Sequence, residues 1–251
     1  MKVKIAIFFI FVYCITLLVN LPAAVVVAWM PKTAIKINDV TGSIWQGQAK
    51  QVVVNPKLTL QNVKWDIQFD ALLDSVLAAN VSFDNGPQSM SGKAVVEYGI
   101  TSGQASASNV ILDLTSQELL TFLPMQLPVK ITGEFSAAIK KVQQGSPYCE
   151  QLDGVIFWNN AYLSSQMGNI DLSSAAVDLS CDNGNISALV TQKSEQLITN
   201  LDVKLSEGGA YQLNGDIQGT DKLDPSIAQS LSWAGPRNAS GATTINFKGR
   251  L

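Results

Sequence analysis

The sequence predicts a mainly β protein: an N-terminal transmembrane helix followed by a curled, mostly antiparallel β-sheet with two short helices. Three features point there. Residues 5–29 are almost unbroken hydrocarbon. Apolar and polar residues alternate with period two through much of the remaining chain, as they do in strands with one dry and one wet face. Clusters of Asp, Asn, Gly and Pro punctuate the alternating runs.

The apolar segment comes first. A run of about 20 apolar residues is long enough to cross a bilayer core as a helix. Lys2 and Lys4 precede it, so the excess of positive charge holds residues 1–4 on the cytoplasmic side and sends residues 30–251 out as a β-rich domain. Trp29 stands where an aromatic interface anchor belongs. A cleaved signal peptide is the competing reading, with an apolar region at 5–19 and Val26, Val27 and Ala28 as a small-residue cleavage pattern. The apolar stretch resumes after Asn20 and Pro22, which is longer than a signal needs and favours a retained anchor. Both readings export the same domain.

The exported part alternates in order. Val63, Trp65, Ile67 and Phe69 share one face; Leu77, Ala79, Val81 and Phe83 repeat the pattern. So do Val129, Ile131, Gly133, Phe135, Ala137 and Ile139, then Tyr211, Leu213, Gly215 and Ile217, and finally Ile245, Phe247, Gly249 and Leu251. Residues 84–87 and 207–209 read as turns, and Asn183-Gly184 suits a type I′ hairpin. Thr115 to Glu118 resembles a capping box opening a short helix through Phe122, which Pro124 stops. Asp224 and Pro225 supply an N-cap and a first helical residue ahead of a second helix over 226–231. Glycine recurs inside strands at Gly42, Gly133, Gly154 and Gly215, where it permits bends that would curl the sheet. An outer-membrane barrel shares the alternation, but it would not carry a long apolar helix and would show aromatic girdles that are thin here.

Composition narrows the function. Charged residues are 15% of the chain, the net charge is −3, and no basic cluster offers nucleic acid a footprint. There is no histidine, which removes the commonest general base and metal ligand. Ser43, Ser164 and Ser165 have no visible base, and Lys140 and Lys141 lie near nothing suggestive. Asp66, Asp113 and Asp178 read as separate solvent-facing strand residues. Trp45 and Trp65 read as core or sheet-face aromatics, which supply much buried area. No catalytic, cofactor or metal site is expected, and the chain is read as non-enzymatic. Of the three cysteines, Cys14 sits in the apolar run as a small hydrophobe. Cys149 and Cys181 lie in the exported part, where a disulfide is permitted; a metal site is the alternative, though two cysteines without histidine make a poor ligand set.

At residues 40–47 a glycine, an aromatic and a second glycine (Gly42, Trp45, Gly47) follow shortly after the apolar segment. With Val63, Lys64 and Trp65, with the stretches 149–158 and 179–184, and with the glycine-rich end, this ordered set resembles the type II secretion system protein N family, also called general secretion pathway protein N, across essentially the whole chain. The resemblance implies a single-pass protein of the cell inner membrane whose bulk is periplasmic. It also implies an accessory or assembly role in exporting folded proteins across the outer membrane. Partners implied are the secretin and inner-membrane platform proteins. The family is further similar to AsmA-like proteins, which implies a trough-shaped sheet and a second function: binding or transferring phospholipid.

Overall fold

The computed structural model describes residues 2–29, 35–122 and 129–250. Pro31, at the expected domain start, Pro124, the expected helix stop, and Leu251, the end of the last alternating run, lie outside the described residues.

The described chain after the N-terminal helices is one open antiparallel sheet of 13 strands in strict sequence order. The strands are β1 (Lys36–Gly42), β2 (Gln46–Asn55), β3 (Leu58–Gln68), β4 (Val76–Asp84), β5 (Ser91–Gly99), β6 (Ala105–Thr115) and β7 (Lys130–Gln144). They continue as β8 (Cys149–Ser165), β9 (Gly168–Asp182), β10 (Asn185–Lys193), β11 (Leu197–Ser206), β12 (Ala210–Gly219) and β13 (Thr243–Arg250). β1 and β13 do not pair, so the sheet has two edges.

Register puts the apolar residues on a single face. Trp65 faces Val81, and Ile67 faces Ala79; Val81 in turn faces Ala94. On the other half, Ile156 faces Ala137 and Val177, and Val177 faces Val190. Leu112 of β6 joins the two halves, facing Gly92 and Ala137, and Val190 faces Leu201 of β11; facing residues of an antiparallel pair share a side, so these contacts run as one stripe from β3 to β11. The alternation read from the sequence therefore fits the observed strands, with one departure. β3 ends at Gln68, and Phe69 leaves the strand in a right-handed helical conformation to open a 3-10 turn, Asp70–Asp74.

Glycines within the strands do something the sequence reading missed. Gly47 faces Trp65, Gly92 faces Phe83 and Gly249 faces Tyr211. A Cβ at Gly47 would lie 2.4 Å from the Trp65 ring, and one at Gly92 2.7 Å from Phe83. Each ring therefore lies down over the bare backbone of its partner and shields the ladder from water. Bends come from bulges, with register shifts in β2–β3, β5–β6, β7–β8 and β8–β9, and Gly133, one of the glycines expected to permit a bend, sits on the first β7–β8 shift with φ 118°.

Both short helices appear. α3 (Ser116–Phe122) opens on a reciprocal box: Thr115 N–H donates to Glu118 Oε2 at 3.0 Å, and Glu118 N–H donates to Thr115 Oγ1 at 3.3 Å. α4 (Pro225–Ala234) has Asp224 as its N-cap, the carboxylate accepting from Ser226 N–H at 2.8 Å. α4 lays Ile227 onto a buried cluster of Ala161, Leu172, Leu197 and Leu223, flanked by Trp158 and Ile217. This is the thickest part of the core. Elsewhere the buried positions are scattered, small ones such as Ala49 and Ala78 alternating with Val63, Ile131 and Ile245.

The single membrane helix expected over 5–29 is corrected. The segment forms two helices, α1 (Lys2–Val19) and α2 (Ala23–Trp29), and among the described residues no helix is long and apolar enough to cross a membrane. Pro22 has no N–H to continue the ladder, and its ring clashes with the preceding turn. Asn20 N–H makes the last helical bond, to Thr16 O at 3.1 Å, and its side-chain amide donates to the same oxygen at 2.8 Å. Lys2 and Lys4 occupy the first turn of α1, so its apolar part, residues 5–19, spans about 22 Å at about 1.5 Å per residue. A hydrocarbon core is about 30 Å thick. α2 folds down onto β1 and buries Ala23.

Candidate interaction surfaces

The candidate catalytic side chains do not converge. Asp66, Asp113 and Asp178 lie exposed on β3, β6 and β9, each on the polar face. Asp113 accepts from Ser136 Oγ across the β6–β7 pair at 2.6 Å. Ser164 and Ser165 hold the β8–β9 turn through Asn169 and Gly168. Ser43 belongs to the β1–β2 turn, its Oγ accepting from Gln46 N–H at 3.1 Å. Lys140 pairs with Asp153 in the open. Among the described residues no three metal-ligating side chains cluster.

Cys149 and Cys181 are joined in a disulfide, with Cα atoms 6.1 Å apart. Cys149 starts β8 and Cys181 lies near the end of β9, so the bond clips these two strands together beside the β9–β10 hairpin. In that hairpin Asn183 and Gly184 both take positive φ, 50° and 84°, as a type I′ turn requires. Asp182, at its base, pairs with Lys204 of β11. The hydrogen bond from Lys204, and then its charge, lower the Asp182 carboxyl below the usual carboxylate range.

The apolar face is closed on one side. Where α4 packs down, an apolar cavity of about 240 Å³ remains, lined by Phe135, Ile156, Leu172, Val177, Val190 and Gln192 among others. Gln192 is buried; its Nε2 donates to Leu172 O at 3.1 Å, while its Oε1 has no partner among the described residues. On β4 and β5 the same face is open, with Leu77, Val96 and Tyr98 exposed.

The two edges differ. α2 packs along β1, Pro22 bridges to Ser43, and Ile44 N–H donates to Leu21 O at 3.0 Å, so a helix covers that edge. Asp39, in the left-handed region at φ 52°, further breaks the β1 ladder. At the other edge Thr244 N–H donates outward to Pro236 O at 2.8 Å. Period-two alternation then turns the N–H and C=O groups of Asn246 and Lys248 outward as well. Phe247, 53% exposed, lies on the apolar side of this edge. Unpaired backbone next to an uncovered apolar side chain is a template for another strand.

The family profile described as type II secretion system (T2SS), protein N matches residues 33–246. The chain belongs to that family. Proteins named type II secretion system protein N are similar over nearly their full length. The one from Vibrio cholerae serotype O1 is 28% identical, covering 94% of this chain and 93% of its own. That of Aeromonas hydrophila is 27% identical, covering 100% and 99%. That of Pectobacterium carotovorum subsp. carotovorum is 25% identical, covering 93% and 87%. No solved structure matches the chain. As a family member the protein is a component of the type II secretion system.

Proposed function

We propose that the chain is a non-enzymatic assembly subunit of the type II secretion apparatus, held at the inner membrane by α1, with its sheet in the periplasm. The β13 edge, with outward backbone groups at Asn246 and Lys248, carries this reading. β-Augmentation by an extended segment of the secretin or of an inner-membrane platform protein would pair those groups and cover Phe247. Lys248 and Arg250 place two cations on this strand. They repel a second copy of β13 and suit an incoming strand that alternates apolar with acidic residues. The anchor rests on α1, whose described large apolar side chains, Ile5, Phe8, Phe9, Phe11 and Leu18 among them, stand exposed behind a lysine-bearing first turn.

The alternative, AsmA-like binding or transfer of phospholipid, has no support from the relatives' names, and α4 fills the apolar face over β8 to β12. A photocrosslinking residue in place of Phe247, in cells expressing the whole secretion apparatus, tests the leading reading. Adducts with other secretion components are expected at Phe247 and not at Val40 on the covered β1 edge. Equal yields at both positions would sink it.

A further inference from the structure

Turns of an antiparallel meander alternate between the two ends of the sheet, so the β1–β2, β3–β4 and β5–β6 turns share one end. They are tied together there. Ile67 N–H donates to Trp45 O at 2.7 Å, and Ile100 N–H donates to Ser75 O at 2.9 Å. The Trp45 and Phe69 rings lie 4.8 Å apart. The foot of α1 is pinned to the same place, for Trp45 Nε1 donates to Leu18 O at 2.9 Å.

This end is apolar and uncovered. Leu73 is 89% exposed, Ile100 58% and Phe69 54%. Just behind them Leu77 and Tyr98 face each other across β4 and β5, both exposed. The remaining turns at the same end, residues 145–148, 183–184 and 207–209, consist of Gly, Ser, Pro, Tyr, Asn and Glu. At this end of the sheet the exposed apolar side chains thus lie beside the foot of α1, and two separate turns contribute to them. Scattered exposed apolar residues need no explanation; a contiguous patch continuous with an apolar helix does.

We propose that the β3–β4 and β5–β6 turns dock into the surface of the bilayer that receives α1, with Phe69, Leu73 and Ile100 at the boundary between headgroups and acyl chains. The occupant is lipid because Trp45 joins the two: its ring lies against Phe69 and its Nε1 donates to Leu18 O, which sets the patch beside the apolar α1. Asp70 and Asp74 flank Leu72 and Leu73 and limit the docking to a shallow depth. The docked turns compensate for an apolar helix shorter than the hydrocarbon core, and they fix the tilt of the sheet over the membrane. This inference rests on the anchoring role given to α1 above.

The test uses the full chain carrying Cys14→Ser, with the Cys149–Cys181 bond intact, and one new cysteine at a time: Phe9→Cys, Leu73→Cys, Ile100→Cys or Met167→Cys. Each is labelled with an environment-sensitive fluorophore and reconstituted into phosphatidylethanolamine–phosphatidylglycerol vesicles containing a headgroup-proximal nitroxide lipid. Met167, in the β8–β9 turn, marks the opposite end of the sheet. Labels at positions 73 and 100 are expected to be quenched several-fold more than the label at 167. Quenching at position 9 with 73 and 100 no different from 167 overturns the docked turns and leaves the anchor standing. Loss of quenching at position 9 as well overturns both.

Discussion

Cys149 and Cys181 close a loop of 32 residues that contains nearly all of β8 and β9. The chain-entropy account of such a loop gives about 3–4 kcal/mol. Cys149→Ser should lower stability by that order in urea unfolding, and so should Cys181→Ser. The double variant should be no worse than either, because the second thiol has nothing left to lose. Beside the disulfide, Asp182 owes its lowered carboxyl pKa first to the hydrogen bond and then to the charge of Lys204. A carboxyl depressed in the folded state contributes stability above its unfolded value and loses it as pH falls through the folded one. In an NMR titration the Asp182 midpoint should lie below 3.8 and rise when Lys204→Ala removes the partner. An unchanged midpoint in that variant would show that the pair is not made. Gly47 offers a third residue-scale check. Gly47→Ala would push a Cβ into the Trp65 ring, and overpacking of this kind costs about 1–3 kcal/mol. Gly86→Ala, where no atom crowds the added carbon, should not show that steric cost; whatever it loses comes from its φ of 109°.

Among the elements, α3 depends on one side chain. Glu118 caps its own helix through Thr115 and also accepts Met90 N–H at 2.8 Å from the β4–β5 connection. Glu118→Ala would strip acceptors from partly buried donors, at about 1–3 kcal/mol for the group left unpaired. Calorimetry should find it more harmful than Gln117→Ala on the exposed side of the same helix. Both short helices were legible in the sequence because their caps are local: Thr115 with Glu118, and Asp224 with Pro225, carry the signal within four residues. The hairpin at Asn183-Gly184 was legible for the same reason. Phe69 was misread because period two alone cannot mark where a strand gives way to a turn, and the Trp45 ring that receives it lies 24 residues back. The apolar segment was misread as one helix for a related reason. Hydropathy counts residues, whereas Pro22 and the packing of α2 on β1 decide how they divide. Nothing in the sequence set β13 apart from the other strands as the exposed edge, since that depends on the order of the whole sheet.

The whole molecule exposes 16225 Å², against about 10800 Å² for a compact monomer of this mass. A single sheet with one modest helix over one side of its apolar face contributes to the excess, and so do the exposed side chains of α1. Such a shape leaves apolar surface and backbone edge to be satisfied by something else, which is why family membership and fold agree on a component of an assembly. At this scale the decisive variant is Lys248→Pro. It removes an outward N–H while the β12–β13 ladder is spared, because that donor is not used within the sheet. Crosslinking from Phe247 to secretion components should fall while the thermal midpoint stays close to that of the parent chain; retained crosslinking would show that β13 is not the docking strand. The strict β1-to-β13 order also bears on how the chain acquires its shape. Every strand pairing joins sequence neighbours, so each strand can add to the one before it and no distant segment must be awaited. The growing end of the sheet is always its sticky end. Among the described strands β13 comes to hold that position last, with the backbone groups of Asn246 and Lys248 turned away from the sheet.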